Sequence, residues 1–281
     1  MITRRAYLQL LDGPVPEASE HLQREGWAVL REVFTPDEVA ILADAINDVF
    51  DNSSPDLRVT ARPTEHYAPF RYAMLNRSAA CQTAIANPTI LSVIEPLLGE
   101  DCHIIANTAW RQGPDEASEH GGRNWHIDAG PHVPRPADVP WDARIPYPVF
   151  AIAAHIFVQD CPIECGPTGV IARSHTSGQA PPRAQLTDES LTWNGIGVTR
   201  LLAKAGDVAM FVSDVWHRRM PSLPGDPGRF FLQVHYGRRD LAQRLLLTAD
   251  ANQLSDEAIE RAETKRHRTL IGLHDPFFYD A

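Results

Sequence analysis

The segment Trp125-His126-Ile127-Asp128 constrains this chain more than any other stretch. Side chains of an extended segment alternate between its two faces, so His126 and Asp128 point the same way and can bind one metal ion together. A third ligand has to come from elsewhere, and His217, at the end of the stretch 206–217, is the downstream candidate. Two histidines and one carboxylate would occupy one face of the ion and leave its other positions open.

Charge and cysteine usage narrow the class of protein. The chain has 281 residues and a net charge of −10, from 26 basic and 36 acidic side chains, which argues against a general binder of nucleic acid or anionic membranes. No run of 18 apolar residues occurs, and the N-terminus does not resemble a signal peptide. Cys161 and Cys165 lie four residues apart, which is not the spacing of a zinc or redox pair. We therefore expect a cytoplasmic protein with inert thiols.

Helix signals fall in the first 100 residues. A helix over 18–25 is expected to stop at Gly26, and a strand is expected over 27–34. The segment Thr35-Pro36-Asp37-Glu38 is a helix start, with Thr as N-cap, Pro at the first helical position and Glu at the third. Asn87-Pro88 predicts another capped helix, which closes near Gly99. Residues 51–70 have the composition of a loop.

Strand signals dominate the next 140 residues. Strands are expected over 102–112, 149–159, 169–172, 197–202, 208–212 and 229–236. Ala205-Gly206-Asp207 predicts a hairpin turn that pairs 197–202 with 208–212. The Pro-rich stretch 129–148 is long for a simple connection and is interpreted as a lid or binding loop.

This distribution predicts a mainly β fold with N-terminal helices, in the α+β class. We expect one domain over 1–281, made of a helical layer (1–100), a strand-rich barrel (about 101–240) and a C-terminal extension (241–281).

Five features follow one another along the chain in a definite order. They are Gly26-Trp27-Ala28-Val29-Leu30 before a capped helix; Trp125-His126-Ile127-Asp128; Gln159-Asp160 with Cys165-Gly166-Pro167 and Arg173-Ser174-His175; Gly206-Asp207 with Phe211 and His217; and Arg229, twelve residues after that histidine. In order and spacing these features resemble the phytanoyl-CoA dioxygenase family of Fe(II)/2-oxoglutarate-dependent oxygenases. The resemblance covers the chain from about Gly26 to Tyr236.

The resemblance implies a double-stranded β-helix, a jelly-roll or cupin-like barrel with the iron at one mouth. It implies that His126, Asp128 and His217 bind Fe(II), and that Arg229 pairs with the distal carboxylate of 2-oxoglutarate. Arginine suits that role because its guanidinium forms a two-pronged, charge-assisted fork with a carboxylate. A strand that begins at Arg229 is expected to run beside the end of the His217 strand, which would place the guanidinium near the iron. Asn107 matches a position that contacts 2-oxoglutarate in relatives, and His155 matches a position that faces the iron cavity.

Other residues mark the substrate side or depart from the family pattern. Arg111, Trp141 and Arg219 are candidates for lining the active site together with His155. Arg219 stands two residues after His217, where relatives place a small hydroxyl residue. This departure leaves one expected co-substrate hydrogen bond open, and contact of the arginine with an acidic substrate is the alternative. Asp128 argues against a halogenase, since halogenases of this fold resemble the pattern with Ala or Gly at that position.

The activity implied by the resemblance is oxidation of a small organic molecule by O2 with 2-oxoglutarate as co-substrate, in natural-product or lipid metabolism. Hydroxylation is the expected outcome, while desaturation, epoxidation and ring formation stay open. Two alternatives also stay open: a metal-dependent hydrolase or isomerase on the same barrel, and a non-catalytic relative that binds a ligand. The substrate and the oligomeric state do not follow from the sequence.

Overall fold

The computed structural model describes residues 15–53, 70–114, 123–128, 130–243 and 254–275. Its α-helices are α1 (Glu17–Glu25), α2 (Pro36–Asn52), α3 (Met74–Arg77), α4 (Ala79–Ala84), α5 (Pro88–Leu98), α6 (Asp256–Arg261) and α7 (Lys265–Leu270). Its strands are β1 (Trp27–Leu30), β2 (Phe70–Tyr72), β3 (His103–Gln112), β4 (Ala151–Phe157), β5 (Thr168–Ile171), β6 (Val198–Arg200), β7 (Val208–Val212), β8 (His217–Arg219) and β9 (Arg229–Gly237). Short 3-10 turns cover Ile163–Cys165, Ser174–Ser177 and Arg183–Gln185.

Local sequence signals explain where the N-terminal helices begin and end. Thr35 and Glu38 form a reciprocal capping box at the start of α2, with the Glu38 N–H donating to Thr35 Oγ1 at 3.3 Å and the Thr35 N–H donating to Glu38 Oε2 at 2.8 Å. Asn87 caps α5 by accepting from the Thr89 N–H at 2.9 Å. Gly26 ends α1 at a φ of 85°, a conformation that favours glycine. These three boundaries confirm the sequence predictions.

Nine strands of the described residues form two antiparallel sheets. The order in the larger sheet is β1-β7-β4-β9-β3-β2, and the order in the smaller sheet is β6-β5-β8. The larger sheet buries both of its faces. One face packs on the helices through residues such as Ile46, Ile94, Ile152, Met210 and Val234. The opposite face packs on the smaller sheet through residues such as Ala153, Phe157, Val170, Phe211 and Phe231. This second face encloses the space between the sheets, which is where side chains can converge on a site.

The mainly β fold with N-terminal helices is confirmed, but two pairings predicted from the sequence are wrong. Residues 197–202 and 208–212 do not form a hairpin, because β6 pairs with β5 in the smaller sheet while β7 lies between β1 and β4 in the larger one. The chain therefore crosses from one sheet to the other at the Gly206 turn. Likewise β9 does not run beside β8; the two strands lie in opposite sheets.

One strand boundary differs from the sequence prediction. Strand β1 ends at Leu30 rather than near residue 34, since Glu32 adopts a φ of 53° and breaks the extended run. The predicted loop 51–70 lies almost wholly outside the described residues. No helix within the described ranges is long and apolar enough to cross a membrane.

Candidate metal centre

Three side chains from two distant segments meet at one end of the space between the sheets. His126 and His217 form an isolated antiparallel bridge, with both backbone N–H···O bonds at 3.0 Å. Asp128 is fixed next to them because its N–H donates to the Ser213 carbonyl at 3.1 Å. One ligand atom from each of the three side chains lies within 4.8 Å of the other two. The structure thus brings together the three residues that the sequence singled out as metal ligands.

Backbone carbonyls set the orientation of both imidazole rings. The Nδ1–H of His126 donates to the Asn124 carbonyl at 2.7 Å, and the Nδ1–H of His217 donates to the Val215 carbonyl at 2.9 Å. A ring that donates from Nδ1 keeps its Nε2 lone pair free, so both Nε2 atoms are available to a metal ion. The two Nε2 atoms lie 3.9 Å and 3.3 Å from Asp128 Oδ1, which makes Oδ1 the metal-facing carboxylate oxygen.

The charge states of the ligands also suit a cation. Burial, reinforced by the nearby His217, lowers the pKa of His126 to about 4, so this ring is neutral. Burial alone would raise the pKa of Asp128, but His217 and His235 outweigh it and hold that pKa well below the usual range. Burial alone would lower the pKa of His217, yet the Asp128 carboxylate raises it. The centre therefore presents an ionised carboxylate between two imidazoles.

His235 contacts the other oxygen of the same carboxylate. It lies on β9, and its Nε2 is 3.1 Å from Asp128 Oδ2. His235 lies six residues after Arg229 on the same strand, so the two side chains share one face. Because His235 holds Oδ2 while Oδ1 faces the two ligand histidines, the two oxygens of Asp128 have different tasks. This contact favours single-oxygen coordination of a metal ion, which leaves more of its positions open.

An aromatic wall connects the metal centre to Arg229. The ring of Phe211 lies 4.5 Å from that of His217, and His155 lies 5.3 Å from Phe211 and 4.5 Å from Phe231. The Arg229 guanidinium then lies 4.9 Å from the centre of the Phe231 ring. Apart from His217, which lies on β8 of the smaller sheet, these side chains belong to the inner face of the larger sheet. They line a path from the metal ligands at one end to a guanidinium at the other.

Two side chains on this path have buried nitrogen atoms that lack hydrogen-bond partners. His155 is 5% exposed and neither ring nitrogen has a partner, while burial and the charge of Arg229 hold its pKa well below the usual range. Arg229 is also 5% exposed; its Nε has no partner, and its Nη2 makes a long bond of 3.4 Å to Thr168 Oγ1. Buried donors without partners are costly, so the path is built for a polar, anionic ligand.

Three other residues expected at the site lie elsewhere. Asn107 pairs with Val234 and alternates with Ala109, and both neighbours belong to the helix-facing core. Arg111 shares this outer face and donates to Asn47 Oδ1 and Asp51 Oδ1 of α2, at 2.8 Å each. A strand turns successive side chains to opposite faces, so Thr108, Trp110 and Gln112 face inward instead. This corrects the expectation that Asn107 and Arg111 line the pocket.

Trp141 packs within its own loop rather than on the metal centre. Its ring lies 5.3 Å from that of Tyr147, and the Arg135 guanidinium lies 4.9 Å from it. The buried carboxylate of Asp214 anchors the loop 130–148. It accepts from the Tyr147 hydroxyl at 2.6 Å and from His132 Nδ1 at 2.7 Å. Its described part is therefore tied to Asp214, three residues before His217, and the lid expected from the sequence stays a prediction.

Fold and site together define a class: two antiparallel sheets that face each other across a two-histidine, one-carboxylate centre. The sequence profile of the phytanoyl-CoA dioxygenase (PhyH) family matches residues 22–220. The chain belongs to this family, which confirms the predicted resemblance and the general class of an oxygenase-type enzyme. Comparison with curated protein sequences gives no significant match.

Solved structures confirm the double-stranded β-helix fold. EctD from S. alaskensis, solved with 2-oxoglutarate and 5-hydroxyectoine, has a TM-score of 0.63 and 19% identity over 85% of this chain and 82% of that one. The epimerase SnoN, in complex with Fe3+, alpha ketoglutarate and nogalamycin RO, has a TM-score of 0.59 and 15% identity over 81% and 84% of the two chains. The carbocyclase SnoK from nogalamycin biosynthesis has a TM-score of 0.58 and 16% identity over 81% and 85%.

Proposed function

We propose that this chain is an Fe(II)- and 2-oxoglutarate-dependent oxygenase that hydroxylates a small organic molecule. The main support is the position of two groups: the His-Asp-His centre and Arg229, whose Nε lacks a partner, lie at opposite ends of one row of aromatic side chains. Two imidazole nitrogens and one carboxylate oxygen form the ligand set of non-haem Fe(II) oxygenases, in which the remaining positions stay open. His126, Asp128 and His217 would hold the iron.

The far end of the path fits the second carboxylate of 2-oxoglutarate. Burying a carboxylate is costly unless a cation and hydrogen-bond donors meet it there, and the Arg229 guanidinium, whose Nε–H has no partner, supplies both. The 2-oxo acid end would lie at the metal centre and the distal carboxylate at Arg229. Thr168 Oγ1, already within 3.4 Å of Arg229 Nη2, adds a hydroxyl next to this position.

His155 lies between the two ends. Because its pKa is held well below the usual range, its ring is neutral and offers one donor and one acceptor. Both nitrogens lack partners, so we assign His155 to hydrogen bonding with the bound co-substrate or substrate. The rings of Phe211 and Phe231 flank it and exclude water from the path, which strengthens electrostatic contacts with a bound anion.

When bound, the iron supplies the activation of O2, coupled to oxidative decarboxylation of 2-oxoglutarate and oxidation of the substrate. The chain's own residues bind and orient: Arg229 fixes the co-substrate, and His235 holds Asp128 by its second oxygen. An epimerase and a carbocyclase are among the similar structures, so this fold carries outcomes other than hydroxylation. We propose that the chain forms one oxygenase domain and that this domain acts on a small molecule.

The two alternatives explain less of the structure. A hydrolase or isomerase could use the metal centre, but it would leave Arg229 and His155 as buried donors without a ligand. A non-catalytic binding module would have no need for three converging metal ligands. Arg229 and His155 therefore favour the 2-oxoglutarate-dependent reaction.

Anaerobic addition of Fe(II) and 2-oxoglutarate tests the proposal. A 2-oxo acid chelated to Fe(II) gives a weak visible absorption band, which we expect in the native protein and not in His126→Ala or His217→Ala. His267→Ala, on the surface helix α7, is the matched control and should keep the band. Absence of the band in the native protein, or a band indifferent to both ligand substitutions, would refute the assignment.

A further inference from the structure

A second buried arginine lies beside Arg229 and links the two sheets to each other. Arg219 is on β8 of the smaller sheet, and its Nη1 donates across the barrel to Gln112 Oε1 at 2.5 Å. Arg229 is on β9 of the larger sheet, and its Nη2 reaches back to Thr168 Oγ1 at 3.4 Å. Gln112 is the strand partner of Arg229, and Thr168 is the strand partner of Arg219. The four side chains therefore form a closed ring between the sheets.

The ring concentrates positive charge in a buried place. Arg219 is 6% exposed, and neither guanidinium forms an ion pair with a carboxylate of the described residues. The Cys165 thiol, together with both guanidinium charges, lowers the pKa of Cys161. This shift reflects the positive charge of the two arginines.

Neutral partners satisfy some donors of Arg219 but leave its charge. Besides Gln112, Arg219 Nη2 donates to Ser222 Oγ at 3.1 Å. Asp226 is the acidic side chain that acts on Arg219, and its Oδ1 already accepts from the Gly228 N–H at 2.8 Å. The guanidinium charges of Arg219 and Arg229, with that of Arg123 nearby, outweigh the single carboxylate of Asp226, so the ring keeps a net positive charge. A further carboxylate would offset part of it.

We propose that Arg219 and Arg229 act as a two-arginine clamp on the distal carboxylate of the co-substrate. Arg219 approaches from the smaller sheet and Arg229 from the larger, so a carboxylate between them offsets positive charge from both sides. This inference rests on the proposed function and adds a specificity-determining residue to it. The clamp makes the site select 2-oxo acids with a second carboxylate over those without one.

The test compares 2-oxoglutarate with 2-oxopentanoate, which has the same chain length and no second carboxylate. Dissociation constants come from anaerobic titration of the Fe(II)-loaded protein, followed by the absorption band of the chelate. Arg219→Gln keeps a hydrogen-bonding side chain and removes the charge. We expect it to weaken 2-oxoglutarate binding by about 10- to 100-fold while leaving 2-oxopentanoate binding unchanged, since only the diacid meets the clamp.

Arg218→Gln is the matched control. Arg218 is the adjacent residue on β8, but its Nη1 donates to the Thr187 carbonyl at 2.8 Å and its guanidinium lies over Trp125, away from the ring. Its substitution should leave the ratio of the two dissociation constants as in the native protein. If Arg219→Gln does not fold, Arg219→Lys replaces it, with a smaller loss expected for the diacid alone.

Each outcome separates the clamp from the proposed function. An equal loss for both acids, or no loss for either, would assign Arg219 to holding the sheets together and overturn the clamp. In that case a band that depends on His126 and a diacid preference that depends on Arg229 would leave the proposed function standing. Failure of the native protein to bind either acid at the metal centre would refute the function itself.

Discussion

Asp214 is expected to be among the most costly residues to truncate, because it anchors the loop beside the metal centre. Its carboxylate is 2% exposed and accepts from the Tyr147 hydroxyl at 2.6 Å, from His132 Nδ1 at 2.7 Å and from the His132 N–H at 3.3 Å. Asp214→Ala removes all three acceptor contacts. Tyr147 is itself buried, so water cannot replace the carboxylate there.

The magnitude follows from the number of donors left without a partner. Each hydrogen bond to a charged group contributes about 1.5–3 kcal/mol, and the third bond is long, which gives about 4 kcal/mol in all. Breaking a buried charged contact by removing one partner costs about 3–5 kcal/mol, in agreement with that value. We therefore expect Asp214→Ala to lower the free energy of unfolding by about 4 kcal/mol.

Equilibrium unfolding in guanidinium chloride, followed by circular dichroism, measures this loss. Asp142→Ala is the control, since the exposed Asp142 pairs only with Arg144 in the same loop, and its removal should cost less than about 0.5 kcal/mol. Limited proteolysis should cleave the loop 130–148 faster in Asp214→Ala than in the native protein. A loss below about 1 kcal/mol with unchanged proteolysis would refute the anchor.

Two further predictions concern the buried His175 and the half-buried His235. Burial lowers the pKa of His175 to about 4 from an ordinary 6.5. Between these two values the unfolded chain binds a proton at His175 and the folded protein does not. The stability that is present above pH 6.5 is therefore lost as the pH falls towards 4. Between pH 7 and pH 5 the native protein should lose about 2 kcal/mol more than His175→Gln in denaturant unfolding; equal pH dependence would contradict this. His235→Leu removes the contact with Asp128 Oδ2 and should weaken Mn(II) binding about tenfold in a titration. His235→Gln should recover part of this loss. Unchanged affinity in both variants would show that His235 does not position the Asp128 carboxylate.

Local signals in the sequence were sufficient for the helix boundaries and for two of the three candidate metal ligands, His126 and Asp128. Caps such as Thr35 with Glu38 act within four residues, and the extended pattern around His126 and Asp128 fixes their common side over three residues. Pairing that segment with His217 needed the resemblance to a family, because no local rule joins residues about 90 positions apart.

What the sequence missed depends on register and on long-range pairing. A shift of one residue in β3 exchanges the inward and outward faces, so Asn107 and Arg111 were expected where Thr108 and Gln112 belong. The hairpin predicted around Gly206 failed for a related reason, since β6 and β7 have suitable turn chemistry between them but pair in different sheets. The ring of Arg219 and Gln112 joins both sheets and has no local signature.

The central claim is that one ion and one 2-oxo acid share the path between His217 and Arg229. A crystal structure grown with Mn(II) in place of Fe(II), together with 2-oxoglutarate, tests it most directly. We expect the ion to be bound by Nε2 of His126, Oδ1 of Asp128 and Nε2 of His217, with the distal carboxylate of 2-oxoglutarate on Arg229. An ion held by other residues, or 2-oxoglutarate bound away from Arg229, would contradict the account.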